Sequence, residues 1–186
     1  MDYYTKLTEI LKRYPSDITG NKYIKNWDLY LKEKQLIVER ANLQGVKTCI
    51  DIGTGVGVLP YLLKQQGINV EGTDVDENIT GSLFRECCEL IQLTRHTLYI
   101  QNGVRTVLPK RYDMLFATRT SFDITCEGDF DWMYFVQNMF EYVDRIFVKM
   151  NRSTRKGIKI TDYPRQLQPY MFEHQNVICF EIDKKS

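Results

Sequence analysis

The feature that most constrains this chain is the run Asp51-Ile52-Gly53-Thr54-Gly55-Val56-Gly57, set between Thr48-Cys49-Ile50 and Val58-Leu59-Pro60-Tyr61-Leu62-Leu63. A short apolar run, a cluster of glycines and a helical pattern in that order read as strand, tight turn and helix. The helix is expected from Val58 to Gln66. Pro60 falls in its first turn, where a missing N–H costs little, and Gly67 stops it as a C-cap. Glycine lets such a turn take unusual φ/ψ and bring its backbone close to a ligand. The helix behind it points free N–H groups and the positive end of its dipole at whatever binds there. Dinucleotide sites use this geometry with the spacing G-x-G-x-x-G. Here Val58 holds the place of the third glycine, which argues against NAD or FAD.

Around this turn the chain alternates between helical and strand patterns. Tyr3, Leu7, Ile10, Leu11 and Tyr14 recur at helical spacing until Pro15-Ser16-Asp17 breaks it. A second helix is expected from about Asn21 to Asn42, with Tyr23, Trp27, Tyr30, Leu31, Ile37, Val38 and Ala41 on its apolar side. Strands are expected at Thr48–Ile52, at Ile68–Thr73 running into Asp74, at Thr97–Ile100, at Tyr112–Ala117 and at Arg145–Met150. Ile79, Leu83, Phe84, Leu90 and Ile91 mark one intervening helix; Phe135, Val136, Met139, Phe140 and Val143 mark another. Ile158-Lys159-Ile160 and Val177–Phe180 read as a final strand pair. The expected fold is α/β: a mostly parallel sheet with helices on both faces and an antiparallel edge hairpin. Residues 1–44 would form a helical lid over a core of residues 45–186.

Several function classes drop out on composition. A chain of 186 residues suits one domain, and no apolar run reaches the roughly 20 residues of a membrane span. Met1-Asp2-Tyr3-Tyr4-Thr5-Lys6 lacks the basic start and apolar stretch of a secretory signal, so the cytoplasm is the expected compartment. Cys49, Cys87, Cys88, Cys126 and Cys179 show no C-x-x-C spacing, and the histidines are His96 and His174 alone. Reduced, buried thiols and no metal site are expected. A net charge of +1 leaves no global footprint for nucleic acid. The one basic stretch, Arg145, Lys149, Arg152, Arg155, Lys156 and Lys159, is a solvated loop or a dock for an anionic acceptor.

The acid Asp51 and the spacing of Gly53, Gly55 and Gly57 resemble motif I of the class I S-adenosylmethionine-dependent methyltransferases, and Glu71-Gly72-Thr73-Asp74-Val75-Asp76 is similar to motif II. The resemblance implies a Rossmann-like sheet with S-adenosyl-L-methionine as cofactor. The loop Gly53, Thr54, Gly55 and Gly57 would lie beneath its methionine part. Asp74, 21 residues after Gly53, would accept both ribose hydroxyls. An ionised carboxylate suits a cis-diol because it accepts at two oxygens and donates at none. Val75 would pack on adenine; Asp76 is the rival acid and an equally good N-cap. More loosely, residues 21 to 151 are similar to a bacterial branch of the family. The matching places are an aromatic helix before motif I, Ala117-Thr118-Arg119-Thr120-Ser121-Phe122 after strand four, Trp132 with Phe135, and Asn151. Two departures stand out. Gln101-Asn102-Gly103 replaces the usual acid after strand three, with Asn102 as the substitute acceptor for the adenine amino group. No Asp/Asn-Pro-Pro-Tyr follows strand four, against an amino-methylase of nucleic-acid bases.

Methyl transfer from a sulfonium is an in-line displacement in which the protein chiefly aligns the reactants, and a base is needed only if the acceptor must lose a proton. In this family residues after strand four face the methyl group. Asp123 is then the candidate base, Ala117 lines the cofactor, and Arg119 and Phe122 face the acceptor, with Tyr23 and Trp27 covering the pocket from the N-terminal helix. A small-molecule acceptor is the leading reading. An RNA or protein methyltransferase, a non-catalytic partner protein of the same fold and, on glycine spacing least of all, a nicotinamide oxidoreductase are the alternatives.

Overall fold

Asp2 starts the first helix, α1 (Tyr3–Arg13): its Oδ1 accepts the Thr5 N–H at 3.0 Å, and Lys12 and Arg13 sit in the last turn against the negative dipole end. Its spaced apolar residues Leu7, Ile10 and Leu11 are all buried. Tyr14, the residue before Pro15, is extended, as the ring of a following proline requires. The computed structural model describes residues 2–14, 23, 26–75, 78–124, 129–153 and 158–185, except for the side chains of 78–81 and 151–153. Asp76, Cys126, Arg155 and Lys156 lie outside the described residues, as do most of the expected start of the second helix and the side chains of Asn151 and Arg152.

The further elements are α2 (Trp27–Arg40), β1 (Thr48–Ile52), α3 (Val58–Gln65), β2 (Asn69–Asp74), α4 (Asn78–Glu89), β3 (Arg95–Thr97), β4 (Tyr112–Thr118), α5 (Trp132–Met139), β5 (Val143–Ser153), β6 (Met171–His174) and β7 (Val177–Asp183). The strand order is β3-β2-β1-β4-β5-β7-β6. It is the expected α/β arrangement, a mostly parallel sheet whose last strands are antiparallel. By packing, the chain divides into two compact units, Met1–Lys47 with Thr54–Leu98, and Thr48–Gly53 with Tyr99–Ser186.

In the first unit, α3 ends as its glycine predicts. Gly67 takes φ 77°, its N–H bonds Lys64 O at 3.0 Å, and the Ile68 N–H bonds Leu63 O at 3.3 Å, a Schellman closure. β2 and β3 pair in parallel, Gly72 opposite Arg95 and Asp74 opposite Thr97. Strand three therefore lies two residues earlier than its apolar run suggests, at Arg95–Thr97 rather than Thr97–Ile100. Its length is set by β2, which stops at Asp74, and its polar edge is held by His96 Nε2 against Glu71 Oε2 at 2.7 Å.

In the second unit, β1 and β4 pair in parallel from Cys49 opposite Met114 to Ile52 opposite Ala117. Met114, Leu115, Phe116 and Ala117 are all fully buried, the mark of a central parallel strand covered on both faces. Asp131 caps α5, accepting the Tyr134 N–H at 2.9 Å. Val143 belongs to β5 and pairs with Tyr112, not to the face of α5 where its spacing placed it; the turn Phe140–Tyr142 intervenes. The tail also differs from expectation. Ile158–Ile160 forms no strand, and Ile160–Asp162 is a 3₁₀ turn in which Asp162 Oδ2 accepts the Lys159 N–H at 2.8 Å. The partner of β7 in the hairpin is β6, joined by Gln175 and Asn176 at φ 54° and 58°. Two positive φ values in a two-residue connection make a type I′ turn, here without the glycine that usually announces one. Among the described residues no helix is long and apolar enough to cross a membrane.

Candidate functional site

The glycine turn is tied to the end of β2 by its own backbone. Thr54 N–H bonds Thr73 O at 2.8 Å, and Gly55 N–H bonds Asp74 Oδ2 at 2.7 Å. The other carboxylate oxygen, Asp74 Oδ1, accepts the Val75 N–H at 2.9 Å. Gly53, Gly55 and Gly57 have φ of 69°, 54° and 81°, values that L side chains rarely adopt. Gly72 serves a different end. A Cβ there would stand 2.8 Å from Thr54 Oγ1 and 2.9 Å from Leu93 Cδ2, so its absence lets Thr54 pack on β2. The first unit thus brings Thr54, Gly55, Gly57, Asp74 and Val75 together. Val75 leaves an apolar side chain 38% exposed just past the carboxyl end of the strand.

The same unit holds Tyr23 and Trp27. Tyr23 is buried at 5% exposure, edge-on to Tyr30 (centroids 5.3 Å) and Phe84 (6.3 Å). Its phenol is held well above its usual pKa, first by burial and then by the charge of Asp74. Trp27 lies against Tyr4 at 5.9 Å and Tyr30 at 6.1 Å, next to a stack of Tyr3 on Tyr61 at 3.9 Å.

In the second unit the strand order turns back between β1 and β4, the place where open α/β sheets bind ligands beyond the carboxyl ends of their strands. Gly53 follows β1 there, and a Cβ on it would come within 2.3 Å of Thr120 Cγ2. Asp51 and Ala117 are buried on the two strands. Past β4, Arg119 takes φ 61° and its N–H bonds Lys149 O at 2.8 Å, a left-handed kink that is uncommon for arginine. Asp123 is buried at 3% exposure. Phe122 packs within an aromatic group formed with Phe130 (5.1 Å), Phe135 (5.3 Å) and Trp132 (5.9 Å). Asn102 spends its amide on its own unit: Nδ2 donates to Asp129 O at 3.0 Å, and Oδ1 accepts the Asp131 N–H at 2.7 Å. A contact to an adenine amino group would use the second lone pair of that oxygen.

Lys149 departs from the sequence reading. Its place in the basic stretch suggested a solvated charge. Instead it is 1% exposed on β5, donating from Nζ to Gln175 Oε1 at 3.0 Å. The signal was strand alternation, since Lys149 shares a face of β5 with Phe147. Arg145 likewise turns to Asp183, at 3.5 Å. Cys49, Cys87, Cys88 and Cys179 are buried, as expected, and burial pushes the Cys87 thiol up to about 12.

No family model and no curated protein matches this chain. Solved structures match it in fold. A protein from Methanococcus maripaludis, provisionally assigned as an S-adenosyl-L-methionine-dependent methyltransferase, superposes with a TM-score of 0.61 at 13% identity, over 99% of this chain and 94% of that one. PigF with SAH gives 0.61 at 13% identity over 96% of this chain, which spans 62% of PigF. A ribosomal protein L11 methylase from Lactobacillus delbrueckii subsp. bulgaricus gives 0.51 at 13% identity, over 84% and 78%. The chain has the Rossmann-like fold of these methyltransferase structures.

Proposed function

We propose that this chain binds S-adenosyl-L-methionine and transfers its methyl group to a small-molecule acceptor. The observation that carries the reading is the Asp74 carboxylate, drawn against the glycine turn by Gly55 N–H and aimed from the end of β2. A carboxylate in that place, beside a loop of positive-φ glycines, has the acceptor-only chemistry that a ribose diol requires. The cofactor supplies the electrophilic methyl. The acceptor's lone pair forms the new bond to carbon while the carbon–sulfur bond breaks and its electron pair returns to sulfur, leaving S-adenosylhomocysteine.

The roles proposed for the chain follow the sequence resemblance. Asp51, Gly53, Thr54, Gly55 and Gly57 would support the methionine part, Asp74 the ribose, and Val75 and Asn102 the adenine end, with Ala117 lining the cofactor. Tyr23, Trp27, Arg119 and Phe122 would select the acceptor, with Asp123 taking a proton where the acceptor gives one up. The cytoplasm is the proposed compartment. An RNA acceptor loses support, because Lys149 is buried on β5 against Gln175 and the part-buried Arg145 is paired with Asp183.

Isothermal titration with S-adenosylhomocysteine, and with NADH as the competing class, tests the reading. S-adenosylhomocysteine should bind and NADH should not. A folded protein that ignores the first ligand refutes the proposal. Methylation of a panel of small acceptors from the tritiated cofactor then tests the second half.

A further inference from the structure

Gly55 presents one open side, the side on which any other residue would carry Cβ. That space holds the hydroxyl of Tyr23, 3.2 Å from where the Cβ would stand. The N–H of the same glycine is bound to Asp74, whose charge reaches the phenol strongly enough to oppose its ionisation. The ring is fixed by Tyr30 and Phe84 and belongs to the buried apolar cluster that includes Leu83 and Cys87. The Cβ side of Gly55, the residue whose N–H is bound to Asp74, is therefore already occupied by a packed aromatic side chain of the same unit.

From this arrangement we infer that Tyr23 and the cofactor exclude one another over Gly55: the phenol must leave its place before a ligand can lie on the turn and reach Asp74. The inference rests on the proposed cofactor site and assigns Tyr23 a role different from acceptor selection. Binding then draws on the fraction of molecules in which the ring has moved, so the apparent dissociation constant exceeds the intrinsic one by the inverse of that fraction. Shortening the side chain raises the fraction and tightens binding, the opposite of what removing a ligand contact does.

The test uses the full chain with Tyr23→Phe and Tyr23→Leu, S-adenosylhomocysteine as the probe, isothermal titration for affinity and stopped-flow tryptophan fluorescence for rate. Tyr23→Leu should bind about tenfold more tightly if the competent fraction in the wild type is roughly a tenth, with Tyr23→Phe in between. Wild-type association should level off at high ligand, limited by ring movement, and the plateau should rise or vanish in Tyr23→Leu. Tyr23→Phe keeps the ring in its apolar cluster and decides the matter should Tyr23→Leu fail to fold. Weaker binding in folded Tyr23→Phe would make the hydroxyl a ligand contact and overturn the inference, as would unchanged affinity and kinetics in both variants. If the folded wild type does not bind the probe at all, the cofactor reading itself falls; if it binds and only the Tyr23 ranking is wrong, that reading stands and the exclusion does not.

Discussion

Asp74→Asn keeps the shape of the side chain and removes its charge and one of its acceptors. In the wild type both oxygens are engaged, Oδ2 with Gly55 N–H at 2.7 Å and Oδ1 with Val75 N–H at 2.9 Å. An asparagine can satisfy one of these donors, but its NH2 then faces the other, donor against donor. A hydrogen bond to a charged group is worth about 1.5–3 kcal/mol, and the lower end applies to a half-buried side chain that water can reach. A loss of about 1.5 kcal/mol lowers the melting temperature of a chain this size by roughly 3–6 °C. On the ligand side, a ribose diol would lose a second charge-assisted acceptor of similar strength, so S-adenosylhomocysteine should bind about tenfold more weakly or worse. Thermal unfolding without ligand and isothermal titration with it read the two effects separately. An unchanged melting temperature refutes the anchoring of the glycine turn by Asp74. Unchanged affinity in a folded Asp74→Asn protein refutes the ribose role, whatever happens to stability.

Other substitutions and conditions test neighbouring parts of the account. Gly72→Ala forces a Cβ to 2.8 Å from Thr54 Oγ1 and 2.9 Å from Leu93 Cδ2, and should cost about 1–3 kcal/mol in urea unfolding; a neutral result would mean that Thr54 moves aside freely. Stability should fall at alkaline pH. Burial holds the Cys49, Cys87, Tyr3 and Tyr23 groups above their ordinary values, so the folded state prefers them neutral. The stability they lend is whole below the ordinary thiol value of 9.0 and drains away as pH climbs through the Cys87 value of about 12, so a flat unfolding profile from about pH 8 to 11 would contradict it. Phe122→Ala and Trp27→Ala should each slow methylation of any accepted substrate far more than they weaken S-adenosylhomocysteine binding. Equal losses in both measurements would move these residues from acceptor to cofactor.

What could be read from the sequence followed local chemistry. Pro60 and Gly67 bound α3, and the all-apolar run Met114–Ala117 makes a strand, each because local residue types meet a local backbone requirement. The failures came where a neighbour decided. β3 takes its register from the end of β2, so its own apolar residues Leu98 and Ile100 pointed to the wrong place. Val143 fits a helical repeat by spacing, yet it pairs with Tyr112. Met171–His174 forms a strand because β7 offers it an edge, and the Gln175-Asn176 turn lacks a glycine to give it away. Lys149 looked like part of a charged surface until strand alternation and the Gln175 amide put it inside. For the candidate site, the grouping of the glycine turn with Asp74 was legible; the aromatic partners of Phe122 and the phenol above Gly55 depend on tertiary contacts that no spacing encodes.

Each glycine of the motif has a reason that lies within the protein. Thr120 crowds Gly53, the Tyr23 hydroxyl crowds Gly55, Ile91 Cδ1 crowds Gly57, and Thr54 crowds Gly72. The three glycines of the turn also sit at positive φ, which would select glycine with no neighbour at all. Glycine spacing is thus as much a packing signature as a binding one, and a turn built for packing alone would show it too. Packing does not exhaust the Asp74 carboxylate, since Gly55 N–H and Val75 N–H take two of its roughly four lone-pair sites and leave the rest for a ligand. Nor does it ask for an apolar Val75 left 38% exposed immediately after that acid. An acceptor-only group beside an exposed apolar side chain pairs the two chemistries of a nucleoside, a diol and a flat ring. The functional reading therefore stands on Asp74 and Val75, and the glycines only bring the backbone near enough for them to act.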